Sequence, residues 1–290
     1  MIAWPPTLVE AFARRRCVLI IGAGVSASAA TPAAGGVASR SPKTWRKFLA
    51  DATASTPHCP SYVREALREN RLLDACQYLK ELQGEAWLTT LREEFVTPKY
   101  KPSLLHESLY KLDIRTTISL NFDTIYEKYV NKVTEGTFIV KNYYDADIRQ
   151  TVAGTDRYLL KMHGTVDTPA RMIFTGKDYA KARTEHRGFY EVIGALLHTH
   201  ICLLIGCGLN DPDVQLLFED YRHLQDATPH YQTLPSDIKP PVAGVVRETR
   251  GINILSYSKR DAHKELVESL EGLNIEAAAI RDDLAVSRDW

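Results

Sequence analysis

Cys17-Val-Leu-Ile-Ile21 is an unbroken apolar run rich in β-branched residues, and it stops at Gly22. A strand with no polar residue at either alternate position has no face to offer water, so it must be covered on both sides. Such strands sit in the middle of parallel sheets flanked by helices. Similar short runs return at Thr116–Leu120, Tyr158–Lys161, Ile201–Ile205, Val242–Val246 and Asn253–Ser256. Amphipathic stretches near Tyr126, Val192, Leu216 and Leu266 separate them and predict helices. Strand and helix in alternation give an α/β fold, a Rossmann-like doubly wound parallel sheet. A first helix capped by Thr7 leads into it, and Ser103 to Leu112 reads as a helix returning to it.

Between the first two strands the pattern changes. Ser26 to Ser41 is almost entirely Ala, Ser, Gly, Thr and Pro, which buries little and reads as a lid over a site. Ser41-Pro42 then has the form of an N-cap with proline at the first helical position, and helical stretches follow around Trp45, Val63, Tyr78 and Trp87. The chain has 290 residues, beyond the roughly 250 at which a single core stops growing. One domain over 1–275 with a helical insertion at about 42–102 accommodates that length, and 276–290 is polar enough to form a tail.

Several function classes drop out on composition. Lys plus Arg equals Asp plus Glu at 36 each, so there is no global basic field and no direct readout of nucleic acid is expected. No apolar run approaches the roughly 20 residues of a membrane span, and Met1-Ile-Ala-Trp-Pro-Pro6 lacks the features of a signal peptide. The expected location is cytoplasmic. The five cysteines contain no C-x-x-C pair, so neither a disulfide framework nor a structural zinc site has support.

The chemistry is expected at strand ends. Gly22-Ala23-Gly24-Val-Ser26-Ala27 is a G-x-G-x-x-A turn directly after the first strand, a place where backbone N–H groups suit the pyrophosphate of a dinucleotide. Around it, no acidic residue lies between Glu10 and Asp51, whereas Arg14, Arg15, Arg16, Arg40, Lys43, Arg46 and Lys47 all do. A hydride-transferring dehydrogenase would place an Asp or Glu about 20 residues past the glycines, and that acid is missing. Further polar clusters follow later strands: Asn121-Phe-Asp123, Lys161-Met-His163-Gly164, and Gly206-Cys-Gly208-Leu209-Asn-Asp211-Pro212. In open α/β sheets the ligand crevice lies outside these strand ends, so Asn121, Asp123 and His163 are expected to share a rim with Gly22 and Gly24. Asp123 and Asp211 also fit plain helix caps.

Taken in order, Gly22-Ala-Gly24-x-Ser26, Asn121-x-Asp123, Lys161-Met-His163-Gly164 and Gly206-x-Gly208-x-x-Asp211-Pro212 resemble the sirtuin superfamily from about Leu8 to about Leu273. Thr116 to Asp123, Val166 and Pro169 after Gly164, and Lys177-Asp178-Tyr179 are more narrowly similar to the sirtuin-like NAD hydrolases of bacterial antiviral defence, of the Thoeris-effector type. The zinc-binding cysteine pairs and the Gly-Ile-Pro-x-Phe-Arg segment of deacylase sirtuins are absent here, as they are in the defence-type hydrolases. Cys207-Gly208 replaces an aromatic and a serine found in many relatives. The resemblance implies NAD as substrate, no zinc, and cleavage of the nicotinamide–ribose bond to nicotinamide and ADP-ribose. Asn121 would position ribose and water, His163 would contact a ribose hydroxyl or take a proton, and Asp123 would hold the nicotinamide amide. Gly22, Ala23, Gly24, Ser26, Gly206, Gly208, Leu209 and Asp211 would bind the rest of the dinucleotide. It further implies NAD depletion in antiphage defence, controlled by homo-oligomerisation or by a partner such as a HerA-type ATPase or a short argonaute. Two other readings fit the same residues: a non-catalytic subunit that senses NAD or ADP-ribose, and a zinc-free deacylase.

Overall fold

A computed structural model describes the chain except for residues 34–38, 154, 209–210, 225–228, 236–237 and 288–290. In order, the elements are α1 (Pro6–Ala13), β1 (Cys17–Ile21), α2 (Ala23–Ala27), α3 (Trp45–Ser55), α4 (Ser61–Arg68), α5 (Leu72–Gln83), α6 (Ala86–Phe95), α7 (Leu104–Lys111), β2 (Thr116–Ser119), α8 (Ile125–Val133), β3 (Ile139–Asn142), α9 (Gln150–Ala153), β4 (Tyr158–Lys161), α10 (Gly176–Glu185), α11 (Arg187–Thr199), β5 (Ile201–Ile205), α12 (Pro212–Leu224), β6 (His230–Pro235), α13 (Pro240–Arg250), β7 (Ile252–Tyr257) and α14 (Arg260–Ser287). Among the described residues no helix is long and apolar enough to cross a membrane.

The strands form one sheet in the order β3-β4-β2-β1-β5-β6-β7, and every pairing is parallel. From β1 the chain passes to β2, then to β3 at the edge, then inserts β4 between β3 and β2, and finally crosses back to place β5 on the other side of β1. The order therefore reverses between β1 and β5, the switch point near which an open α/β sheet places its ligand crevice. Ile21 lies opposite both Ser119 and Ile205, so the loops after all three strands leave the sheet at the same level.

The all-apolar β1 is buried on both faces, as the sequence requires. Cys17, Leu19 and Ile21 enter a core with Phe12 of α1, Leu109 of α7 and Leu270 of α14. Val18 and Ile20 face a second core with Phe189 and Leu196 of α11 and Phe218 of α12. Each such side chain removed from water contributes about 1.5–3 kcal/mol. A third core joins Phe48, Leu49, Val63, Cys76, Leu79 and Trp87 of α3 to α6 with Val166, Met172 and Phe174, seating this helical group on the loops beyond β4.

Several expectations need correction. Val242–Val246 is helical, in α13, because Pro240 and Pro241 fix helical φ at its start. Only Val246 is buried there, and Val242 and Val245 face solvent. The strand belongs instead at His230–Pro235, whose polar side chains find partners: Cys202 N donates to His230 Nδ1 at 3.0 Å and Gln232 Nε2 donates to Cys207 O at 2.9 Å. Thr7 is not the first cap; Pro5 takes that place, and Thr7 meets the Tyr231 hydroxyl. Pro42 does not open a helix, because α3 starts at Trp45 with Thr44 before it. The lid stretch begins inside α2, Ala30 bridges to Lys101, and Thr31 and Arg40 hydrogen-bond each other at its base; residues 34–38 lie outside the described residues. Residues 276–287 are not a tail but continue α14, with Ala277 and Leu284 buried and Arg281 donating to the Phe12, Ala13 and Leu112 carbonyls at the ends of α1 and α7.

Two buried histidines make this fold acid-sensitive. Burial pushes His106 and His230 down to about 4, with Asp123 partly opposing the shift at His106. The native state favours their neutral forms, so the stability they supply is full above the unfolded value near 6.5 and is lost as pH falls toward 4. Urea titrations are expected to lose up to about 3 kcal/mol per ring across that window. His230→Phe should start from a lower baseline, with the Cys202 amide unpaired, but lose less on acidification. A wild-type stability that is level from pH 6.5 to 4 contradicts this.

Candidate functional site

The loops after β1 and β5 touch backbone to backbone. Gly22 N donates to Ile205 O at 3.0 Å and Gly24 N to Gly206 O at 2.8 Å. A Cβ on Gly22 would lie 2.6 Å from Gly206 O, and one on Gly24 2.8 Å from the Gly206 Cα. Gly206 itself has φ +68°, and its Cβ would meet Val25 N at 2.5 Å. The glycines thus serve the approach of one loop to the other as well as any approach of a ligand. Helix α2, expected to aim its N-terminus at a phosphate, has only five residues and therefore little summed dipole.

Ser26 on α2 reaches the loop after β2. Its hydroxyl donates to Asp123 Oδ2 at 2.6 Å and accepts from Asn121 Nδ2 at 2.9 Å. Nδ2 also donates to Gly22 O at 2.9 Å, so both hydrogens of the Asn121 amide are engaged. Asp123 divides its carboxylate: Oδ2 takes Ser26, and Oδ1 accepts from Ile125 N at 3.0 Å, the helix-capping role that its position also predicted. Beneath it the wholly buried Lys161 donates to Asp123 O at 2.5 Å and pairs with the Glu127 carboxylate. Burial raises the Glu127 pKa, and Lys161 opposes that rise.

His163, 4% exposed, follows β4. Its Nδ1 lies 2.9 Å from Leu120 O. A carbonyl only accepts, so Nδ1 carries the proton and Nε2 holds the lone pair. Nε2 faces the Tyr179 hydroxyl at 3.4 Å and Asp211 Oδ2 at 3.8 Å. Asp211 caps α12 with its other oxygen, accepting from Val214 N at 3.1 Å.

These groups line a cavity of about 600 Å³. Its floor is the sheet end, with Gly22, Ala23, Ser26, Asn121, Asp123, His163, Cys207, Gly208 and Asp211. Its roof is supplied by the helical group. Trp45 stacks on Phe174 with ring centres 5.2 Å apart, and Phe122 packs edge-on against Phe174 at 4.9 Å and Phe95 at 4.8 Å. Trp45, Phe95 and Phe122 are only partly buried and present aromatic surface to the cavity. Among the described residues, Lys43 and Arg71 bring positive charge to its lining. Burial works against the charge on Lys43, but Asp51 at 2.9 Å and Glu94 at 3.1 Å outweigh it and raise its pKa. Glu94, 3% exposed, also accepts from Lys43 N and Tyr100 and pairs with Arg40, which fastens the stem of the loop beside the cavity. Tyr100 is pushed up to about 12 by burial and by Glu94.

The structure thus gathers Gly22, Ala23, Ser26, Asn121, Asp123, His163, Gly208 and Asp211 around one space. Gly24 and Gly206 shape it through their mutual contact, and Leu209 lies outside the described residues. Of the basic cluster only Lys43 joins the lining. Arg14, Arg15 and Arg16 precede β1 and sit at the opposite end of the sheet, where Arg14 pairs with Glu10 and Arg15 with Asp113. Sequence reasoning missed the aromatic wall and Glu94, and it assigned no task to Tyr179. Among the described residues, no group of three or more His, Cys, Asp or Glu is placed to hold a metal.

Comparison with known proteins bears on the same region. Residues 115–255, from the residue before β2 into β7, match the SIR2-like domain. The chain is 26% identical over 172 residues to the NAD(+) hydrolase ThsA of Enterococcus faecium, 28% over 167 to that of Acinetobacter baumannii, and 24% over 182 to that of Bacillus cereus. Those alignments cover 57–60% of this chain and 34–37% of the relatives, so the chain spans about a third of the length of the proteins it matches. The parallel sheet therefore carries, over β2 to β7, a segment similar to the SIR2-like domain, and the chain as a whole is similar in part to these relatives.

Proposed function

We propose that this chain hydrolyses NAD+ at the bond between nicotinamide and ribose. The observation that carries the reading is the convergence of Asn121 and His163 on one cavity at the switch point between β1 and β5, where Asn121 can offer its amide oxygen as an acceptor and His163 its Nε2 as a base. The C1′–N bond breaks, its electron pair leaves with nicotinamide, and the pyridinium becomes a neutral base. A water oxygen bonds to C1′, and its proton passes to His163 Nε2 and then to solvent, so NAD+ and water give nicotinamide, ADP-ribose and a proton. The leaving group needs little acid help, so the protein's task is to orient the ribose and water and to stabilise the oxocarbenium-like centre. Asn121 Oδ1 holds the water or a ribose hydroxyl. Asp123 takes the nicotinamide amide. The aromatic wall of Trp45, Phe95 and Phe122 suits a flat cationic ring. The glycine loops take the phosphates.

Support from relatives lies in three proteins named NAD(+) hydrolases, matched along part of their length. The same reading assigns the activity to NAD depletion in antiphage defence, governed by self-association or by a partner such as a HerA-type ATPase or a short argonaute. Purified protein incubated with NAD+ should release nicotinamide and ADP-ribose in equal amounts on chromatography. NAD+ that raises the melting temperature without being consumed favours the non-catalytic sensor instead. Nicotinamide release that requires an acyl-lysine peptide favours the deacylase.

A further inference from the structure

We infer that Asp211 is a positioning residue for His163, and that its carboxylate stabilises the imidazolium formed when Nε2 takes a proton. The inference rests on the base role proposed above for His163. Asp211 stands at the start of α12, where a cap alone explains one oxygen: Oδ1 accepts from Val214 N at 3.1 Å. The other oxygen, Oδ2, faces His163 Nε2 at 3.8 Å, with the Asp211 side chain 19% exposed and the His163 side chain 6%. This is the nitrogen that holds the lone pair, because Nδ1 is committed to Leu120 O. A carboxylate within about 4–6 Å favours a cationic imidazole, more so where water is scarce.

The other titratable groups around the ring do not duplicate it. Tyr179, from α10, meets Nε2 at 3.4 Å through a neutral phenol that holds the resting lone pair in place. Asp123, from the loop after β2, is occupied by Ser26 and the Ile125 amide. Across the cavity, Lys43 is paired with Asp51 and Glu94, and Arg71 with Glu69 and Asp74. Among the described residues, Asp211 thus presents a carboxylate directly to the base. The proton taken from water forms an N–H on Nε2, the ion pair with Asp211 holds it through the step, and solvent then removes it.

Asp211→Asn separates this role from capping, because Asn caps a helix as well as Asp does. In the full chain, the His163 imidazole pKa, followed by NMR and assigned by its loss in His163→Asn, should fall by about one unit in Asp211→Asn. The acid limb of kcat/KM should move down by the same amount, since a weaker base stays neutral to lower pH, while the plateau falls by up to about tenfold. Asp211→Ser, which also keeps a cap, should repeat both shifts, whereas Tyr179→Phe, which removes a donor to the neutral ring, should not lower the limb. An unmoved imidazole titration in both Asp211 variants, with a raised KM alone, overturns the proposal and makes Asp211 a ligand contact. If the wild type turns over no NAD+, the hydrolase reading fails by itself, and the NMR titration still decides whether Asp211 governs His163.

Discussion

His163→Asn is expected to cut NAD+ cleavage by about 10²–10⁴-fold, the range for loss of a general base. Asparagine is the informative substitution because its Nδ2 falls near the place of the imidazole Nδ1 and can keep the bond to Leu120 O, now 2.9 Å long. What disappears is Nε2, the atom facing Asp211. The loss should therefore appear in kcat with KM little changed, and NAD+ protection against thermal unfolding should survive. Asn121→Ala should lose turnover as well, but with a cost to the loop, because its Nδ2 ties Gly22 O to Ser26. A His163→Asn protein that retains wild-type turnover removes the base from the mechanism.

Lys161→Met is expected to destabilise the fold by about 3–5 kcal/mol, since removing one member of a buried ion pair strands the other. Lys161 is fully buried under the loop that carries Asn121 and Asp123, and its ammonium serves both Asp123 O and the Glu127 carboxylate. Burial already raises the Glu127 pKa. Without Lys161 it should rise further, so Glu127 would be protonated in the native variant at mildly acidic pH. A carboxyl whose native pKa exceeds its unfolded value costs stability as pH rises, so urea unfolding should show a larger deficit for the variant at pH 8 than at pH 5. Adding Glu127→Leu to Lys161→Met should recover much of the loss at pH 8, because no uncompensated charge remains. A single variant within about 1 kcal/mol of wild type would mean the pair is solvated in practice.

The sequence was most legible where burial is symmetric. β1 and β5 fall at the positions their apolar runs mark, because a strand covered on both faces has nothing but apolar residues to display, and β4 departs from that pattern only at Lys161, whose charge is paired. β6 was not legible, since His230, Gln232 and Thr233 are buried by hydrogen bonding to a neighbouring strand rather than by being apolar. The valines of α13 misled in the opposite direction, their β-branched density overridden by two prolines that start a helix. The rim residues Asn121, Asp123, His163 and Asp211 were legible because strand ends are where an open α/β sheet exposes polar groups. The aromatic roof was not, because Trp45 and Phe95 reach the cavity only through the packing of α3 and α6. Nor does the spacing of Tyr179 and His163 reveal that their side chains meet.

The contact among Gly22, Gly24 and Gly206 leaves no room for a side chain at any of those three positions, so neither loop can change its course there without the other. They act as a single part written in two distant stretches of the gene. A chimera that imports the first loop from another protein must import the second with it, and the specificity of this crevice is accordingly inherited, and engineered, in matched pairs.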